Sequence, residues 1–275
     1  MHDHEALSPW KRFWERGGWW KALILAAVYY VLYQLAGFPV VAIFPAGGAV
    51  RGEAGSAMDV FIGTGLPIIV AAALLLIFAA SLGWLKELFG PQPIRGTWWM
   101  WIAVAVVLIT NILKLVSIDY ATPGLAWAAS WMLTGLAIGF AEELLTRGFV
   151  VNLMRKAGHK EVAVALVSSA VFAALHIGNI FQPGQTPLSI ALLVGYTFFF
   201  GFCMYLALRV TGNLIWPMLL HASTDPATFM FTIHPGTGPL APIAAFGNFP
   251  VILTGLVLLV VFIITHRHDR VKALN

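Results

Sequence analysis

Charge is scarce in this sequence. Only 10% of its 275 residues are Asp, Glu, Lys or Arg, against about 25% in an ordinary soluble domain. That scarcity excludes a soluble globular enzyme and a disordered chain. It also excludes a nucleic-acid-binding domain, because the net charge of +4 rests on cations that sit between apolar segments. Cysteine is nearly absent: Cys203 alone excludes an intrachain disulfide framework and any CxxC metal site. No HExxH is present, so the usual helix-borne zinc-protease motif is missing. No GxGD is present either, since Gly63-Thr64-Gly65 runs into Leu66, and no GxSG-type serine lies in a span beside a histidine. No cleavable signal peptide is evident. The first apolar run begins near Trp19, behind a charged and partly acidic leader, with no clear small-residue cleavage site after it.

What is present is apolar. Hydrophobic residues make up 60% of the chain and mean hydropathy is +0.85. A bilayer core about 30 Å thick needs about 20 apolar residues in a helix. Eight stretches are expected to span it, near 20–38, 59–84, 97–118, 126–156, 160–179, 187–209, 212–226 and 247–266. The seventh is short and is expected to end near Pro226 as a broken or partial span. The runs lack the two-residue alternation of a membrane barrel. The fold expected is therefore all-α, one polytopic membrane domain over 1–275.

Basic residues orient it. With both termini cytoplasmic, thirteen of the sixteen Lys and Arg residues, from Lys11 to Lys272, fall on the inner side. Arg51 alone falls outside, and Lys114 and Arg147 lie within spans. That asymmetry is the positive-inside pattern of eight spans. Trp10, Trp14, Trp19, Trp20, Trp84, Trp98 and Trp99 fall at the inner ends, as an interfacial belt would. The Gly- and Pro-rich outer stretches near 39–58 and 227–246 read as surface connections.

Ionisable groups within a span cost about 2.5–3.5 kcal/mol each and mark function by default. The spans hold Lys114, Glu142, Glu143, Arg147, His176, His221 and Asp225. Lys114 lies near the outer end of its span and is expected to snorkel to the interface, with Asp119 nearby. Glu143 and Arg147 are four residues apart on one helix face and can pair. Glu142 is rotated by about 100° from Glu143 and needs another partner. His221 and Asp225 share a face by the same spacing. Depth ties these together. At about 1.5 Å per residue, Glu142 lies about 20 Å along its helix from Arg155, and His176 about 24 Å from Lys160. His221 and Asp225 lie about 14 and 20 Å from Gly212. Four costly residues at similar depth on three spans point to one hydrated site.

Peptide hydrolysis needs an activated water, a stabilised oxyanion and a proton donor for the leaving amine. Glu142 suits the general base, and His176 can share or hold its water. His221 can donate to the oxyanion and Asp225 can orient it. The Glu143–Arg147 pair braces the helix. Two histidines with carboxylates (His176, His221, Glu142, Asp225) are also a zinc set with an open position. Metal-bound water and metal-free, glutamate-activated water both stay open, so the cofactor is one zinc ion or none. Ser168 and Ser169 precede His176 on the same helix and read as packing serines.

These residues carry a resemblance. Glu142-Glu143-x-x-x-Arg147, then Phe172-x-x-x-His176, then His221-x-x-x-Asp225 resemble the ordered motifs of the CAAX-protease and bacteriocin-processing membrane family, which includes type II CAAX prenyl endopeptidases. Thr211-Gly212-Asn213-Leu214 with Trp216-Pro217 resembles the segment leading into the last motif. The resemblance covers about residues 126–226, the expected catalytic core. It implies an eight-helix intramembrane endopeptidase whose cavity opens toward the cytosol. It gives Glu142 the role of water-activating base with His176 beside it, and it puts His221 and Asp225 on the oxyanion side. Glu143, Arg147 and Phe172 are structural support. Asparagine is frequent at the last position, and Asp225 can donate a hydrogen bond only when protonated. An ionised Asp225 suits orienting His221, or holding metal, better than holding an oxyanion.

The implied partners are the lipid bilayer and a membrane-embedded or lipidated protein or peptide substrate, with no nucleic acid. The implied location is an integral protein of a bacterial cytoplasmic membrane. Two other readings use the same residues: a non-catalytic regulator or bacteriocin-immunity protein that binds a client helix, and a proton-coupled transporter. The transporter reading lacks a matching polar half, since the polar residues lie between 142 and 225 with nothing comparable before Lys114.

Overall fold

The computed structural model describes residues 7–44 and 55–271. Arg51, Lys272 and residues 45–54 of the stretch 39–58 lie outside that description. Eight long helices carry the fold: α1 Trp19–Ile43, α2 Ala57–Leu82, α3 Trp98–Val116, α4 Gly124–Lys156, α5 Glu161–Phe181, α6 Pro187–Thr211, α7 Ile215–Ile233 and α8 Asn248–His266. No strand occurs among the described residues. Isolated antiparallel bridges pair Ile118 with Pro235 and Lys160 with Arg270, at opposite ends of the bundle.

Seven of these helices, all but α7, are long and apolar enough to cross a membrane. Their outer faces are large and apolar: Leu23, Val31 and Leu35 on α1, Ile109 and Ile112 on α3, Leu253 and Ile264 on α8 are all exposed. In water that surface would be costly. In lipid it is the medium's own chemistry.

The helices begin and end on recognisable chemistry. Ser56 and Asp59 form a reciprocal capping box at the start of α2, and Thr186 and Ser189 form one at the start of α6, where Pro187 occupies the first turn. α6 ends on Gly212 at φ 73°, a left-handed position that a side chain would strain.

Three expectations are corrected. α7 does not stop at Pro226 but runs on to Ile233. Pro226 meets Gly135 of α4, and neighbouring helices make an interior proline tolerable in a membrane bundle. Trp84 and Trp14 are buried within the protein, not lipid-facing: Trp84 donates Nε1–H to Glu15, and Trp14 packs edge-on against Phe78. Trp19 and Trp98 are exposed, as a belt residue would be. Lys114 does not snorkel. It is 4% exposed and points inward, donating to Thr228 Oγ1 (3.0 Å) and Asn248 Oδ1 (2.8 Å). Asp119 instead accepts from its own turn, from Ala121 N and Thr122 Oγ1.

α4 lies along α7, α5 along α6, and α6 also packs on α8. Glycine permits the first of these contacts. A Cβ on Gly139 would stand 2.6 Å from the Ala222 nitrogen and the Met218 oxygen, and one on Gly135 would strike Pro226 and the Ala222 carbonyl. Small residues let membrane helices approach this closely. The approach sets Glu142 and Glu143, one turn on from Gly139, beside His221.

Candidate active site

Within α4 the α-helical ladder runs Gly124–Glu143, gives way to a π-helical stretch at Leu144–Val150, and resumes at Val151–Lys156. The wider π turns reset the angular register immediately after the two glutamates. Such segments recur at functional sites. All seven residues of the stretch are buried, Arg147 among them.

Arg147 places three of its five N–H groups on protein oxygens, and its Nε finds none. Nη1 donates to Glu143 Oε1 (3.0 Å) and Thr146 Oγ1 (2.6 Å), and Nη2 donates to the Gly201 carbonyl (2.5 Å). The guanidinium lies 4.7 Å from the Phe172 ring centre, within cation–π range. Gly201 must be glycine for this geometry, since a Cβ there would sit 2.8 Å from Nη2. The expected Glu143–Arg147 pair is present with both side chains fully buried.

Glu143 does a second thing that spacing did not reveal. The same Oε1 receives His221 Nδ1 at 2.8 Å. Glu143 is therefore the group that fixes the His221 ring. Asp225, on the histidine's own helix, comes only to 3.7 Å from Nε2. Phe172 and Phe200 stand edge-on to the imidazole at 5.5 and 5.0 Å and hold its plane.

With Nδ1 occupied, His221 presents Nε2. Glu142 Oε2 lies 3.8 Å away and has no hydrogen-bond partner of its own. Side-chain exposure separates two tiers: Glu143 and Arg147 are at 0% and His221 at 2%, while Glu142 is at 18% and Asp225 at 26%. Glu142 also interacts electrostatically with His176 and Asp225. The fold thus sets Glu142 and Asp225 beside the His221 ring on the open side, with the His221–Glu143–Arg147 chain behind, and puts His176 within electrostatic reach of Glu142.

His176 stands in the last part of α5, where the α-helix ends at Leu175 and passes into the 3-10 segment His176–Phe181. Its Nδ1 hydrogen-bonds the Phe172 carbonyl at 2.9 Å. That bond fixes the ring through Nδ1 and makes no demand on Nε2. Ser168 and Ser169 are packing serines, bonded to the Thr146 and Ala165 carbonyls.

Sequence reasoning missed Tyr29 of α1. Its hydroxyl is buried without a hydrogen-bond partner and interacts electrostatically with Glu142. A tyrosine in an apolar run carries no signal of that. The metal reading finds no geometric support: among the described residues no three His, Cys, Asp or Glu side chains group closely enough to hold a metal ion.

Fold and site together define a polytopic, all-helical integral membrane protein with a buried carboxylate–imidazole centre. Residues 124–227 match the family model of Rce1-like proteins, the type II CAAX prenyl endopeptidases, which is the family that the three motifs resemble. The matched stretch holds α4 through most of α7, and with them every site residue described above except Tyr29. No curated protein matches the chain.

Proposed function

We propose that this protein is an intramembrane endopeptidase that hydrolyses a peptide bond of a membrane-embedded or lipidated substrate, using water activated by Glu142. The observation that carries the reading is the Glu142 carboxylate oxygen with no partner, held 3.8 Å from an imidazole nitrogen whose ring is fixed from behind by Glu143. A catalytic base needs a free lone pair aimed at the reacting water.

In this scheme Glu142 takes a proton from water as the oxygen attacks the scissile carbonyl. His221 donates from Nε2 to the oxyanion while Glu143 holds Nδ1–H, the division of labour expected of a preorganised electrostatic site. Glu142 then passes its proton to the leaving amine, and the C–N bond breaks. His176 orients the water. Asp225 lines the open side, 3.7 Å from His221 Nε2. No step of this scheme passes through a metal. The core that performs this chemistry is residues 126–226.

The test is to incubate purified protein in nanodiscs with hydrophobic and lipidated peptides, beside the Glu142→Gln variant, and to read new termini by mass spectrometry. Cuts made by the wild type alone support the reading. Equal cutting by both variants refutes the assigned base. Binding of peptides without cutting by either supports the client-binding alternative instead.

A further inference from the structure

Lys114 sits in a place that the proposed chemistry does not use. It lies on α3, and its hydrogen-bond partners among the described residues are two neutral oxygens, Thr228 Oγ1 on α7 and Asn248 Oδ1 on α8. Asp225 interacts with it electrostatically but stands beyond ion-pair distance. An ammonium has three protons to place, so one remains after those two bonds. A charged group buried to this degree without an anion costs several kcal/mol.

The lysine also floors a cavity of about 660 Å³ at the end of the bundle where α3 and α7 finish and α8 begins. Thr228, Thr232 and Asn248 supply the polar part of its lining near the lysine. The remaining wall is apolar and includes Phe231, Phe249 and Ile252, of which Phe249 is exposed on the lipid-facing side of α8. A short helix, Ala241–Ala245, borders the opening. One buried cation, a small set of hydroxyl and amide groups, and an apolar wall leading outward complement an amphiphile with one anionic head.

We propose that this cavity binds a membrane phospholipid, its headgroup phosphate against Lys114, Thr228 and Asn248 and an acyl chain along Phe249 and Ile252. The phosphate completes the third hydrogen bond of the ammonium and neutralises its charge. The acyl chain covers the apolar wall that the protein leaves open. The site takes no residue from the Glu142 centre, and the proposal does not rest on the reaction assigned there.

The test is native mass spectrometry of the full-length protein in detergent, titrated with phosphatidylglycerol or with diacylglycerol of the same chains. The wild type retains one phosphatidylglycerol at least about tenfold more tightly than diacylglycerol, a difference of about 1.4 kcal/mol. Lys114→Met abolishes that preference. Because that substitution also removes two hydrogen bonds, Ala245→Trp is the second variant: it keeps the lysine, fills the cavity from an exposed position and displaces the lipid too. Equal retention of the two lipids by the wild type, or unchanged phosphatidylglycerol retention by both variants, overturns the proposal. Displacement of phosphatidylglycerol by inorganic phosphate alone overturns the lipid assignment.

Discussion

Glu142 and Glu143 are neighbours in sequence and opposites in surroundings. Glu143 is fully buried and shared between Arg147 and His221, whereas Glu142 keeps an oxygen without a partner. Their substitutions should therefore separate function from folding. Glu142→Gln should lower cleavage by at least about 10²-fold, the smaller end of what positioned proton transfer supplies, and leave the thermal unfolding midpoint unchanged. Arg147→Ala strands the Glu143 carboxylate in a dry place, and removing one partner of a buried pair costs about 3–5 kcal/mol. Folded yield should fall along with activity. A well-expressed Arg147→Ala protein with an unchanged midpoint would contradict the bracing role. On the proposed metal-free scheme, and with no three His, Cys, Asp or Glu side chains grouped for a metal among the described residues, exhaustive chelation should leave the cleavage rate within about twofold of its starting value, a change of less than about 0.5 kcal/mol in the barrier. Loss of activity restored by added zinc would refute the metal-free mechanism.

At the scale of the helix, the site exists because α4 and α7 touch backbone to backbone. Gly139 lies against Met218 and Ala222, three residues from Glu142 on one helix and next to His221 on the other. Gly139→Val should push the helices apart and lengthen the Glu143–His221 contact, since nothing on the α7 backbone can yield. Cleavage should drop at least about 10²-fold, the scale that a misplacement of about 1 Å can cost, while helix content by circular dichroism stays constant. Retained activity would show that the close approach is not what sets the site. The π-helical stretch Leu144–Val150 works with this contact. It follows the glutamates directly and carries Arg147 in register to reach both Glu143 and the Gly201 carbonyl.

For the whole molecule, the end of the bundle opposite Lys114 is closed by a buried ionic network. Glu161 receives Arg155 through two bonds (2.8 and 2.7 Å), Arg209 at 3.1 Å and the Tyr205 hydroxyl, and Arg209 reaches on to Asp269. One carboxylate thus ties α4, α5 and α6 together, and Arg209 links them to the segment after α8. Glu161→Gln should destabilise the fold by about 3–5 kcal/mol, because two buried guanidiniums lose their shared counter-charge. Its location away from Glu142 means that the protein remaining folded should cut at the wild-type rate per molecule. A midpoint equal to the wild type's would refute the structural weight given to this network.

The sequence by itself determined the solvent, the class of fold and the residue types of the site. Apolar runs of 19 residues or more leave helices as the economical spanning structure, and charges inside such runs are costly enough to be conspicuous. Glu142, Glu143, Arg147, His176, His221 and Asp225 are therefore legible as candidates from the sequence alone. Pairing was less so. Spacing on one helix joined Glu143 to Arg147 correctly, but it also suggested Asp225 as the partner that orients His221, and the bond is instead made across helices by Glu143. Tertiary structure alone decided that contact, the burial of Trp14, Trp84 and Lys114, and the passage of α7 through Pro226 to Ile233. The physical reason is common to all of them. Helical periodicity states which residues share a face, but only the packing of two helices decides which faces meet, and there Gly135, Gly139 and Gly201 set distances that no spacing within one segment records.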